Sequence, residues 1–166
     1  MNFRPRPGLT LAVAAALAGT APLTTPPAAA DDQPLIERCY TQALTEEETA
    51  AGAVSEIDCY QVPVDEPAMA MRGTITFAVL YDTDGTGGEL WVTSPAGVTS
   101  CTGRTTVFGT GHAWDNRVDA TDLWSCGSAK HWQWSNFTGA NQLVTGSGYT
   151  AITGTMNDAT SSIEWA

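Results

Sequence analysis

Near its end the chain runs Asn157-Asp158-Ala159-Thr160-Ser161-Ser162, almost all side-chain oxygen, before the short run Ile163-Glu164-Trp165. About forty residues earlier, Asp115-Asn116-Arg117-Val118-Asp119 follows Trp114 and leads into another apolar stretch. Carboxylates, amides and hydroxyls gathered this way are hard donors, suited to a hard cation that takes roughly six to eight oxygens. Hydrolytic chemistry has no comparable support. His112 and His131 are the only histidines, neither lies in His-Glu-x-x-His, and no Gly-x-Ser-x-Gly is present. Ser161 and Ser162 have no base nearby in sequence. The composition therefore points to a binding protein and not to an enzyme.

Loops of this kind need strands to hold them. From Gly73 onward the pattern is β-like: in Thr74–Tyr81, Ile75, Phe77 and Val79 alternate with smaller residues. A Gly-rich turn and the run 89–94 follow. Further short runs are expected at 98–102, 105–108, 117–124, 131–134, 142–145, 149–153 and 162–165. Such strands, separated by Gly-containing turns, indicate an all-β sandwich or barrel. Asp82, Asp84, Thr86 and Gly87 fit the opening of an EF-hand loop, but its twelfth position is Thr93 and its flanks are strands. We read a hairpin turn there, with Asp82 available to lend an oxygen. All six Trp fall after residue 90, and most are expected in the core.

Residues 1–30 have the layout of a secretory signal: Arg4 and Arg6, an Ala/Leu/Val run, then Ala28-Ala29-Ala30 as a cleavage site. Without them, five basic residues face eighteen acidic ones, a net charge of −13. A polyanion of that kind repels nucleic acid and anionic membranes and attracts cations. Four cysteines in an exported chain read as disulfides. Three connectivities are open; Cys39–Cys59 with Cys101–Cys126 is favoured because each pair is local. Residues 31–72 read as an N-terminal extension, pinned by a disulfide and carrying one short helix at about 45–51. Thr45 and Glu48 form its capping box.

The β region contains one unit twice. Tyr81 and Gly88 stand seven apart, as do Trp132 and Gly139, with Phe137 between the latter pair. Each hairpin is followed by one of the oxygen-rich loops, and a repeat of this sort fixes a fold. Over residues 73–166 the chain resembles the βγ-crystallin family, including its bacterial calcium-binding members. The motifs that carry the resemblance are the aromatic-x4-aromatic-x-Gly hairpin, as in Trp132-…-Phe137-Thr138-Gly139, and the loop [Asn/Asp]-[Asn/Asp]-x-x-[Ser/Thr]-Ser, as in 157–162. The first copy departs from the pattern at Thr86, Asp119 and Ala120.

The resemblance implies two Greek keys, about 73–125 and 126–166, forming a βγ-crystallin-type β-sandwich with two calcium sites. In that family each loop gives a peptide carbonyl and its fifth side chain, and the other key's hairpin completes the site. Carried over by position, one site joins Asp158, Ala159 and Ser161 to Asp82. The other joins Asn116, Arg117 and Asp119 to Gln133. The implied function is that of a secreted, non-enzymatic calcium-binding protein. Two alternatives share the architecture: a secreted metalloproteinase inhibitor of crystallin-like fold, and a wall- or glycan-binding antimicrobial module using Trp91, Trp114 or Trp134.

Overall fold

Thr76–Asp82 (β4) places Ala78 and Leu80 on one face at zero exposure, and its hairpin partner Gly88–Thr93 (β5) does the same with Leu90 and Val92. These residues commit one face of the sheet to a core, while Val79 on the opposite face is buried as well. The structure, a computed structural model, describes residues 33–67, 74–83 and 87–166. The leader expected at 1–30 and the turn residues Asp84 and Thr86 lie outside the described residues.

Three strands and a helix precede β4: Leu35–Gln42 (β1) and Leu44–Thr45 (β2), and then, after a turn of helix, Ile57–Pro63 (β3). After β5 come Arg104–Val107 (β6), Ala120–Leu123 (β7), Ser128–Trp134 (β8), Thr138–Thr145 (β9), Gly148–Ala151 (β10) and Ser162–Trp165 (β11). The helix, Glu46–Ala50 (α1), starts where the Thr45 hydroxyl accepts from Glu48 N–H and the Glu48 carboxylate accepts from Thr45 N–H. Two sheets form, ordered β10-β7-β4-β5-β1-β3 and β2-β6-β11-β8-β9. They share one core, in which Phe77 lies 6.1 Å from Trp165 across the sheets. The chain is all-β in class, as expected.

The repeat is visible in the connectivity. β4 and β5 are a hairpin, β6 belongs to the opposite sheet, and β7 returns beside β4. β8 and β9 are a hairpin, β10 belongs to the opposite sheet, and β11 returns beside β8. Each unit's third strand pairs with the other unit's fourth: β10 with β7, β6 with β11. In each sheet one strand of a unit thus pairs with a strand of its twin.

Three expectations change. Residues 98–102 form no strand. Within the expected extension, the described residues 33–67 contribute strands to both sheets: β1 lies inside a sheet, parallel to β5 and antiparallel to β3, and β2 caps the edge of β6. Residues 33–166 are one compact unit, so the expected boundary at 72/73 falls within it. Of the six Trp, only Trp114 and Trp165 are in the core, while Trp124 and Trp134 are more than half exposed. Trp132 instead sits beneath Lys130, 3.9 Å from its ammonium, and donates to Glu164 (2.7 Å). The disulfides are Cys39–Cys59, linking β1 to β3, and Cys101–Cys126, linking the connections before β6 and after β7.

Candidate cation-binding loops

The two oxygen-rich loops are built alike. Their second residues, Asn116 and Asp158, both take left-handed backbone conformations, φ 61° and 50°. Asx side chains tolerate that region better than most, which explains the residue type there. The fourth, fifth and sixth residues are buried in both: Val118, Asp119 and Ala120; Thr160, Ser161 and Ser162. The fifth residue's N–H donates to the hairpin aromatic's carbonyl in each unit, Asp119 to Tyr81 (2.8 Å) and Ser161 to Trp132 (2.9 Å). The fifth residue's carbonyl then accepts from the partner unit, from Ile152 N–H and Phe108 N–H respectively. The loops also touch each other. Asn116 N–H donates to the Thr160 carbonyl (3.1 Å), and the Ser161 hydroxyl donates to Asp115 Oδ1 (2.5 Å).

The side chains named for binding are engaged as follows. Buried Asp82 is held by Arg117, whose Nε and Nη2 lie 2.7 and 2.6 Å from its Oδ2. Arg117 also donates through Nη1 to Glu37 of β1 (2.9 Å) and to the Ala113 carbonyl, and it lies over the Trp114 ring at 4.9 Å. Burial alone would lower the pKa of this guanidinium, but the hydrogen bonds to Asp82 and Glu37 outweigh it and the net shift is upward. Gly88 makes room for this: a Cβ there would come within 3.3 Å of Arg117 Nη2 and the Trp114 ring. Asp119 accepts through Oδ2 from the Thr83 amide (2.5 Å) and hydroxyl (2.9 Å), in the hairpin of its own unit. Gln133 Oε1 accepts from Ala140 N–H (3.2 Å), also within its own hairpin. Asp158 is exposed and accepts from the Asn157 amide (3.0 Å).

The structure therefore brings Ser161 against Asp115, where the sequence placed Asp82. Asp115 was missed, although its place as first residue of the first loop, matching Asn157, was a readable signal. Ser161 and Asp115 bring a hydroxyl and a carboxylate oxygen from two different loops together through a hydrogen bond, and both are donor types that a hard cation takes. Asp82 does not suit one, because a guanidinium already occupies its oxygen. Among the described residues, one cluster of three or more acidic, histidine or cysteine donors occurs, Glu37 with Cys39 and Cys59, and its sulfurs are joined in a disulfide.

No family model, curated protein or solved structure matches the chain. Among the described residues no helix is long and apolar enough to cross a membrane.

Proposed function

We propose that this is a secreted, non-enzymatic calcium-binding protein of βγ-crystallin type, with two interlocked Greek keys, and that it takes one calcium ion rather than two. The observation that carries the reading is the contact between Ser161 and Asp115, which joins the two matched loops through two hard oxygens. The ion would be held by the Ser161 hydroxyl, the Asp115 carboxylate and the Ala159 peptide oxygen, with water completing its shell. Its chemistry there is that of a clasp: a divalent charge between two loops of a chain with a net charge of −11. At the Asp82 corner Arg117 already supplies a cation, so a metal ion has nothing to add. Both disulfides accord with an exported protein. A binding role also accords with the histidines. His131 is buried between the hydroxyls of Thr121 and Thr160, and His112 Nδ1 accepts from Trp114 N–H.

Calcium bound only to the folded chain stabilises it by about 1.4 kcal/mol at tenfold excess over Kd. For a chain of this size that raises Tm by about 4–7 °C. Extracellular modules bind in the range of about 10⁻⁴–10⁻³ M, so the shift should develop at millimolar calcium. Ser161→Ala and Asp115→Asn should each abolish it; Ser161→Ala also removes the hydrogen bond to Asp115 and should lower the calcium-free stability by about 1–3 kcal/mol, whereas Asp115→Asn keeps an acceptor there. A wild-type Tm that ignores calcium would sink the proposal.

A further inference from the structure

The outward face of the six-stranded sheet is not the polar surface that a solvent-facing sheet ordinarily presents. The register aligns Tyr149, Asp122, Val79, Trp91, Tyr40 and Asp58 in one row across its six strands. Tyr81 and Tyr60 point the same way, two residues along their strands, and Trp124 follows β7 on that face. Every strand thus brings an aromatic ring to this side, and all four tyrosines of the chain lie on it, although Tyr40 and its row neighbour Val79 are buried. Tyr149, Trp124 and Tyr60 are 59, 55 and 52 % exposed.

Four of these rings form two pairs. Tyr81 and Tyr149 lie 5.5 Å apart, Trp91 and Trp124 5.1 Å apart. Carboxylates fix the indoles: Glu89 accepts from Trp91 Nε1 and Asp122 from Trp124 Nε1, both at 3.1 Å. Rings held this way lose little freedom when a ligand arrives. Glu89 is balanced by Arg38, whereas Asp122 and Asp58 make no ion pair among the described residues. Tyr81 feels the same field: burial first, then Asp122 and Glu89, push its phenol above the usual range.

We propose that this face binds a polysaccharide carrying free amino groups, with pyranose faces resting on the exposed rings of Trp124 and Tyr149, which Trp91 and Tyr81 hold from the side, and ammonium groups directed to Asp122. Aromatic rings offer both an apolar plane and a negative face for a cation. The excess of acid over base in the chain repels polyanions. A basic peptide fits less well, because an extended peptide gains its ladder hydrogen bonds at a sheet edge, not over a sheet face.

The test uses the full chain with disulfides intact, titrated with glucosamine hexamers while tryptophan emission is followed. N-acetylglucosamine hexamers, cellohexaose and polylysine serve as comparisons. The glucosamine polymer should bind, and the neutral sugars should bind at least about tenfold more weakly. The double variant Trp124→Ala/Tyr149→Ala, whose truncated rings are mostly exposed, should melt like the parent and lose at least about tenfold in affinity. Asp122→Asn should erase the preference for the amine. No binding of the glucosamine hexamer at about 1 mM overturns the proposal, as does equal binding of the neutral sugars. Polylysine binding that matches the hexamer and survives the double variant also overturns it, since charge alone would then suffice.

Discussion

Arg117 is the residue on which most of the first loop depends. Its guanidinium bridges buried Asp82 and half-buried Glu37, so Arg117→Gln leaves two carboxylates facing each other in poorly solvated surroundings. We expect a loss of about 3 kcal/mol, read as a lower urea midpoint with an unchanged m-value. His131 makes a prediction of the opposite kind. It is fully buried, and desolvation pulls its pKa from 6.5 down to about 3. The unfolded chain therefore binds a proton that the folded chain refuses between those values. Stability is fully present above pH 6.5 and falls as pH drops, by about 1.4 kcal/mol per unit at its steepest. His131→Gln should flatten this part of the pH profile of Tm; a profile unchanged by the variant would show that other groups govern it. At this scale the sequence was partly readable. That the two oxygen-rich loops are equivalent, each following its own hairpin, follows from type and spacing; their left-handed second residues do not. The capture of Asp82 by Arg117 does not, because one arginine could satisfy any of several carboxylates and only the assembled sheets decide which.

At the scale of elements, the two hairpin-and-loop units share a backbone design that tolerates different side chains. Asp119 and Ser161 occupy the same place and bond the same hairpin carbonyl, although one is charged and the other is not. The turn of the second hairpin depends on Gly139, at φ 84°, where a Cβ would lie 2.5 Å from Trp134 Cδ1. The exposed indole can swing aside, but the left-handed backbone cannot be relieved. Gly139→Ala should therefore cost about 1–2 kcal/mol, checked by denaturant melts. A cost near zero would mean that the turn relaxes. Most strands from β4 onward were legible because short β-branched and aromatic runs are separated by Gly-containing turns, although residues 98–102, read the same way, form no strand. β1 was not, since Glu37 and Arg38 interrupt its alternation. The structure accounts for both: Glu37 meets Arg117, and Arg38 meets Glu89 (2.9 Å) and the Glu66 carbonyl.

For the whole molecule, the consequence is that the N-terminal segment belongs to the fold. β1 supplies Glu37 to the Arg117 cluster and Cys39, whose sulfur accepts from Trp114 Nε1 at 3.0 Å. Deleting residues 33–63 should leave a chain without cooperative unfolding. A sharp thermal transition in that truncation, followed by circular dichroism, would instead mark β1 to β3 as dispensable. The local pairing of cysteines was readable from spacing, and each bridge contributes about 3 kcal/mol by constraining the unfolded chain. The exchange of third strands between the two units explains why loops forty residues apart in sequence come into contact, and so why a cation could clasp them. The most direct measurement of that claim is calorimetric titration of the chelator-treated, disulfide-intact protein with calcium. One ion per chain is predicted, lost in Ser161→Ala and retained in Arg117→Gln. Two ions, or none, would contradict it.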